Sequence, residues 1–135
     1  MKITLGKLID IRNSLDKIQN HTRIKLRTSY EIANFLYQTE NSANFYIENF
    51  QQIVSTYGAR DENNNLLSDG YSVTIKEECL EECEEKVVEL NKIEVEIPSL
   101  SIYLYDFENE YIDISILRPL LPYILKENWL IFWFF

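Results

Sequence analysis

Cys79 and Cys83 are the softest donors in the chain, and their spacing of four places both sulfurs on one face of a helix. Thiolate metal sites favour a closer C-x-x-C pair and need further ligands, for which His21 is the sole histidine. A disulfide across one helical turn would strain the helix, so the pair reads as reduced structural thiols in a reducing compartment. His21 has the chemistry of a general base, but no Ser, Cys or Asp constellation accompanies it and Arg23 adds positive charge nearby. It reads as an exposed residue at a helix end. Asp61, Asn63 and Asn65 alternate like the first ligands of a calcium loop. That match fails further on, where Leu66 holds the position that requires Gly and Ser72 the position of the bidentate Glu. A solvated turn is expected there. The chain has no nucleophile elbow, phosphate-cradling loop or dinucleotide fingerprint, and three glycines leave little material for one. No catalytic residue, metal ligand or cofactor is assigned, and the chain is read as a non-enzyme.

What remains is charge. Residues 1–57 carry seven Lys or Arg against five acids, a balance of +2, whereas residues 58–135 carry six against seventeen, a balance of −11. The densest run is Glu77, Glu78, Glu81, Glu82, Glu84, Glu85 and Glu89. Its simplest reading is a solvated helix face. Read instead as a binding surface, Glu77, Glu78, Glu81, Glu82 and Glu85 form an array of carboxylates that imitates nucleic-acid phosphates and fits a basic groove. The opposing cluster of Arg23, Lys25 and Arg27, with Lys17 nearby, has no interleaved aromatic platform and so gives little reason to expect direct nucleic-acid binding. A match with the acidic helix, within the chain or between subunits, is at least as good a reading.

The elements that must position these charges are mainly helical. At 135 residues, 46% of them apolar, the chain is expected to form one domain over 1–135 with its own core. Thr4 is a candidate N-cap for a first helix with Leu8, Ile11, Leu15 and Ile18 on one face. A seam of Ile32, Leu36, Thr39, Ala43, Tyr46, Phe50, Ile53 and Tyr57 then follows steps of four and three, predicting one long unbroken helix. Thr28 and Glu31 offer it a capping box, with Thr22 an alternative start, and Gly58 a left-handed C-terminal stop. Turn residues around 61–65 and 69–70, with alternation over 71–75, suggest a hairpin. A third helix over 76–92 presents Leu80, Cys83, Val87 and Leu90 on one side. Residues 93–97 and 101–105 alternate as strands, and Ser115 is expected to cap a short helix containing Pro119, which Pro122 kinks or ends. The expected class is therefore α+β: a long central helix packed with two further helices, a small antiparallel sheet or hairpin, and a short C-terminal helix.

The chain closes with seven apolar residues, 129–135, far short of the roughly twenty needed to span a bilayer. Core packing is favoured for them over an exposed strand or a sticky tail. The first residues lack a secretory signal pattern, which sets the cytoplasm as the expected location.

The run Ser29-Tyr30-Glu31-Ile32-Ala33, then Tyr57-Gly58-x-x-Asp61-Glu62-Asn63, the acidic stretch ending near Glu94-Val95-Glu96-Ile97, and Ile112-x-Ile114-Ser115 occur in one order. Together they resemble a family of short uncharacterised proteins encoded by phages and prophages of Gram-positive bacteria with AT-rich genomes, over about residues 5–125. Two departures stand out: Asn64-Asn65 replaces the family's Asn-Gly, and the aromatic end lies outside the pattern. The resemblance implies a viral or prophage setting, here the host cytoplasm, and brings no catalytic residues. The expected function is an accessory protein that binds a host or viral protein, most specifically an acidic inhibitor of a CRISPR-type defence nuclease. The alternative is a virion structural or assembly protein, a homo-oligomer joined through the heptad helix and the aromatic C-terminus.

Overall fold

The computed structural model describes residues 1–21, 23–68, 72–100, 102–107, 111–121 and 125–126. It is an α+β fold, as the sequence patterning leads one to expect. Strand β1, Lys2–Thr4, leads directly into helix α1, Leu5–His21. Spacings of three and four bring Leu5, Leu8, Ile11, Leu15 and Ile18 to one face, and every one of them is completely or almost completely buried. Thr4 Oγ1 accepts from the Lys7 amide at 3.4 Å, the expected cap. This helix is the hub of the domain: α2 (Leu26–Gln38), α3 (Glu40–Tyr57), α4 (Leu80–Asn91), α5 (Ile114–Leu117) and the 3-10 turn Arg118–Leu120 all pack on it.

The heptad seam is two helices, not one unbroken rod. Thr39 leaves helical geometry at φ −102° and ψ 5°, and the chain turns a corner on that single residue. Its amide still donates to Phe35 O and its own carbonyl accepts from Ala43, so little backbone bonding is lost. The corner is held from outside by Arg12 of α1. Its Nη1 donates to Leu36 O at 2.7 Å and to Thr39 Oγ1 at 2.6 Å, while the Thr39 hydroxyl donates to Phe35 O at 2.8 Å. A cation thus neutralises the negative end of α2, and Glu40 occupies the positive end of α3. Burial lowers the Arg12 guanidinium below its ordinary value, partly offset by the charges of Glu40 and Asp16.

Other boundaries also shift. Helix α2 begins at Leu26 with Lys25 at its N-cap, so Thr28 forms no capping box. It lies on the buried face, its hydroxyl without a hydrogen-bond partner among the described residues. Gly58 ends α3 with φ −68° and ψ 140°, ordinary extended backbone rather than a left-handed stop. Glycine is required there by proximity: a Cβ would stand 2.6 Å from Val54 O and 2.5 Å from Leu66 Cδ2. Beyond it, Ala59, Leu67 and Thr74 pass backbone hydrogen bonds around a closed ring, Leu67 N to Ala59 O, Ala59 N to Thr74 O, and Thr74 N to Leu67 O. Isolated antiparallel bridges at Gly58 and Ile75, Arg60 and Leu66, and Ser68 and Val73 complete this three-armed clasp, which replaces a simple hairpin. The turn expected at 69–70 falls outside the described residues.

After α4, strand β2, Glu94–Glu96, returns antiparallel to β1 with Ile3 opposite Val95. Strand β3, Ile102–Tyr103, pairs with β4, Leu125–Lys126, in parallel rather than in the expected antiparallel sheet. Helix α5 is capped by Asp113, whose Oδ1 accepts from the Ser115 amide at 2.9 Å, not by Ser115 itself. Pro119 lies in the following 3-10 turn, and Leu117 and Leu120 enter the core beside Ile97, Leu100, Ile102 and Phe107. Pro122 and the aromatic segment 129–135 lie outside the described residues.

Two outcomes test this frame. Arg12→Met removes the donor but keeps the stem, and is expected to cost about 2–3 kcal/mol in urea denaturation; a loss below about 0.5 kcal/mol would mean the corner holds without the cation. The hydrogen bonds from Ser115 hold the Asp113 carboxyl below its ordinary 3.8. Its contribution is therefore full above that value and lost as pH falls through the folded-state value. Thermal melts between pH 5 and 2 should decline less for Asp113→Asn than for the wild type.

Candidate functional site

The acidic segment begins in the 3-10 turn Glu77–Cys79 and continues along α4. Cys83 and Leu90 are its buried positions, while Val87 is half-buried. With those positions turned inward, Glu77, Glu78, Glu81, Glu82 and Glu85 are all exposed, as are Glu84 and Glu89. Leu80, expected on the inner face, is 48% exposed. Helix α4 is anchored against α3, where the Tyr57 hydroxyl donates to Glu82 Oε1 at 3.1 Å. Desolvation, then that hydrogen bond and the Glu82 charge, raise the Tyr57 phenol above its ordinary 10.0. Lys86 lies 3.6 Å from Glu89. The five carboxylates therefore lie along one continuous segment, Glu77 and Glu78 in the 3-10 turn and Glu81, Glu82 and Glu85 in α4, with Glu82 already engaged by α3.

Arg27 of the basic cluster is not paired with this surface. Arg27 pairs instead with Asp106 at 3.4 Å, tying α2 to the 3-10 turn Leu104–Phe107. The Asp106 carboxylate is fully buried and also accepts from the Tyr103 amide at 3.0 Å. A buried carboxylate with a charged partner and a backbone donor is a structural joint of the kind that is costly to break from one side. Arg23, Lys25 and Lys17 are exposed.

At the tip of the clasp, Asp61 Oδ1 accepts from the amides of Asn63 and Asn65 at 2.9 and 3.0 Å. Asn64 takes the left-handed φ of 64° that asparagine tolerates, and Arg60 donates to its carbonyl at 2.9 Å. The oxygen a calcium ion would need closes an Asx turn. No group of three His, Cys, Asp or Glu suited to a metal occurs among the described residues. His21 is the last residue of α1.

Two hollows were not legible in the sequence. One, of about 640 Å³, lies between α3, the clasp and α4; Phe50, Val54, Leu66, Val73 and Val87 line it and Cys83 reaches it. Its lining comes from three separated segments, and the alternation of Val73 and Ile75 with the i, i+4 pair Phe50 and Val54 was the only trace of it. The other, of about 390 Å³, opens at the junction of α1, α3 and α4, where the Tyr46 hydroxyl donates to Asn91 Oδ1 at 2.8 Å. Gly6 permits the contact, since a Cβ there would lie 3.2 Å from the Asn91 side chain. Burial and the Asp10 charge raise the Tyr46 phenol.

Both cysteines are free thiols, Cys83 buried and Cys79 half-buried. Burial, followed by the charges of Glu84 and Cys79, pushes the Cys83 thiol up. No helix among the described residues is long and apolar enough to cross a membrane. Comparison with protein-family models, curated proteins and solved structures finds no match.

Because thiolate is the reactive form, Cys79 should react with a water-soluble disulfide reagent at pH 8 several-fold faster than Cys83 in the folded protein. In urea the two rates should converge, and equal rates in the folded state would contradict the burial of Cys83.

Proposed function

We propose that this chain is a non-enzymatic phage or prophage accessory protein that binds another protein through the outer face of α4. In its most specific form, the partner is a bacterial defence nuclease of the CRISPR type, whose cationic nucleic-acid channel the carboxylates occupy in place of phosphates. The observation that carries the reading is the exposure of Glu77, Glu78, Glu81, Glu82 and Glu85 along the 3-10 turn and the α4 helix that follows it, anchored by Cys83, Leu90 and the Tyr57 hydrogen bond. A rigid array of like charge repels itself. Matched with a cationic groove, the same array accelerates association and makes it sensitive to salt.

Glu78, Glu81 and Glu85 make the cleanest variants, because Glu82 also holds Tyr57. In competition with labelled duplex DNA for an RNA-guided nuclease, the full chain should displace the DNA. Displacement should weaken at least tenfold between roughly 50 and 300 mM salt. The triple variant Glu78→Lys, Glu81→Lys, Glu85→Lys should lose at least tenfold in potency with its melting temperature retained. Equal potency in the folded triple variant would sink the proposal.

A further inference from the structure

Strands β1 and β2 form a sheet of two, and the phase of their hydrogen bonds decides what each shows on its outer side. Leu5 N donates to Ile93 O at 2.7 Å and Ile97 N to Met1 O at 2.8 Å, just beyond either end of the ladder. Bonded pairs recur at every second residue of an antiparallel ladder, so Ile3 and Val95 form the bonded pair between them. Lys2 with Glu96, and Thr4 with Glu94, are the non-bonded pairs. The backbone amides and carbonyls of Glu94 and Glu96 therefore point away from β1, to an edge along which no other strand lies among the described residues. The outer edge of β1 is interrupted at once, since the chain passes from Thr4 straight into α1.

Side chains give this edge a sign. Val95 packs on the core beside buried Ile3, while Glu94 and Glu96 are exposed on the opposite face. Glu96 has the Met1 ammonium at 3.2 Å and Lys2 as its cross-strand neighbour. Glu94 has Thr4 opposite it and no ion pair among the described residues. A second copy is a poor occupant, because two such edges paired antiparallel about Val95 would set Glu94 against Glu96 twice.

We infer that the outer edge of β2 takes up an extended basic segment of a partner protein as a third, antiparallel strand, with two cations flanking an apolar residue. In that register the cations stand opposite Glu94 and Glu96 in bonded pairs, each exchanging an amide and a carbonyl with β2. Two such pairs give about four backbone hydrogen bonds, and both ion pairs lie on the exposed face. The apolar residue between them stands opposite Val95 and extends the face that Val95 and Ile3 turn to the core. Main-chain bonds supply the affinity in strand addition, and alternate side chains select the sequence. An acidic edge repels its own copy yet stays open to a strand of opposite charge. None of the α4 carboxylates takes part.

A capped pentapeptide with Lys-Val-Lys at its centre, titrated into the isotope-labelled full chain, tests the inference through amide chemical shifts. Its Kd should be on the order of 1 mM, with the largest shifts at the amides of Glu94 and Glu96. The same peptide methylated on both lysine backbone nitrogens keeps its charge but loses the donors to β2, and should bind about tenfold more weakly. Glu94→Lys, at an exposed position, should weaken the parent peptide roughly fivefold with an unchanged melting temperature, and a Glu-Val-Glu peptide should bind this variant better than the wild type. An absence of shifts at Glu94 and Glu96 up to roughly 10 mM peptide overturns the inference. So does equal binding of the methylated peptide, which would reduce the contact to charge. Shifts confined to residues 77–85 overturn it as well, since they would place the peptide on the α4 carboxylates instead.

Discussion

The Arg12 side chain is the contact on which the arrangement of helices depends. A helix of residues 26–57 would run on the order of 48 Å, too long to stay against a domain of this size. Breaking it at Thr39 lets both halves lie on α1, but exposes carbonyls at the end of one half. The guanidinium reaches one of those carbonyls, Leu36 O, and the Thr39 hydroxyl together, joining α1 to the corner where α2 becomes α3. The corner is thus a tertiary structure written as a local bend. Its cation is retained in a partly buried setting because oxygen acceptors and nearby Glu40 and Asp16 replace the water it loses.

This explains what could and could not be read along the chain. Helix α1 was legible because its burial follows one period from Leu5 to Ile18, with Thr4 at its start. The α+β class was legible for the same reason. The break was not, since Thr39 fits the heptad as well as its neighbours do, and the residue that bends the chain is 27 positions earlier. Strand β1 was invisible because Lys2-Ile3-Thr4 is too short to alternate convincingly and its partner lies beyond 90. Gly58 was read as a left-handed helix stop; its backbone is ordinary extended, and what calls for glycine there is the approach of Leu66 and the Val54 carbonyl. Such proximities have no signature in a single segment.

The candidate surfaces divide along the same line. Exposure of the α4 carboxylates follows directly from the burial of Cys83 and Leu90, so periodicity reaches it. Pairing of Arg27 with Asp106 does not, because two residues nearly 80 positions apart meet only after the core has formed. The same blindness hides the hollow between α3 and the clasp.

The pairing of β1 with β2 has a consequence for how the molecule comes into being. Lys2 has Glu96 as its strand partner, so translation places the two about ninety residues apart in time as well as in sequence. At roughly 5–20 residues per second, the first strand leaves the ribosome about 5–20 s before the strand that completes it. Through that interval the apolar face of α1 gains α2, α3 and then α4 as cover, whereas the ring of Ala59, Leu67 and Thr74 closes within its own short stretch. The nascent chain therefore carries an unfinished edge at β1 until β2 has been made.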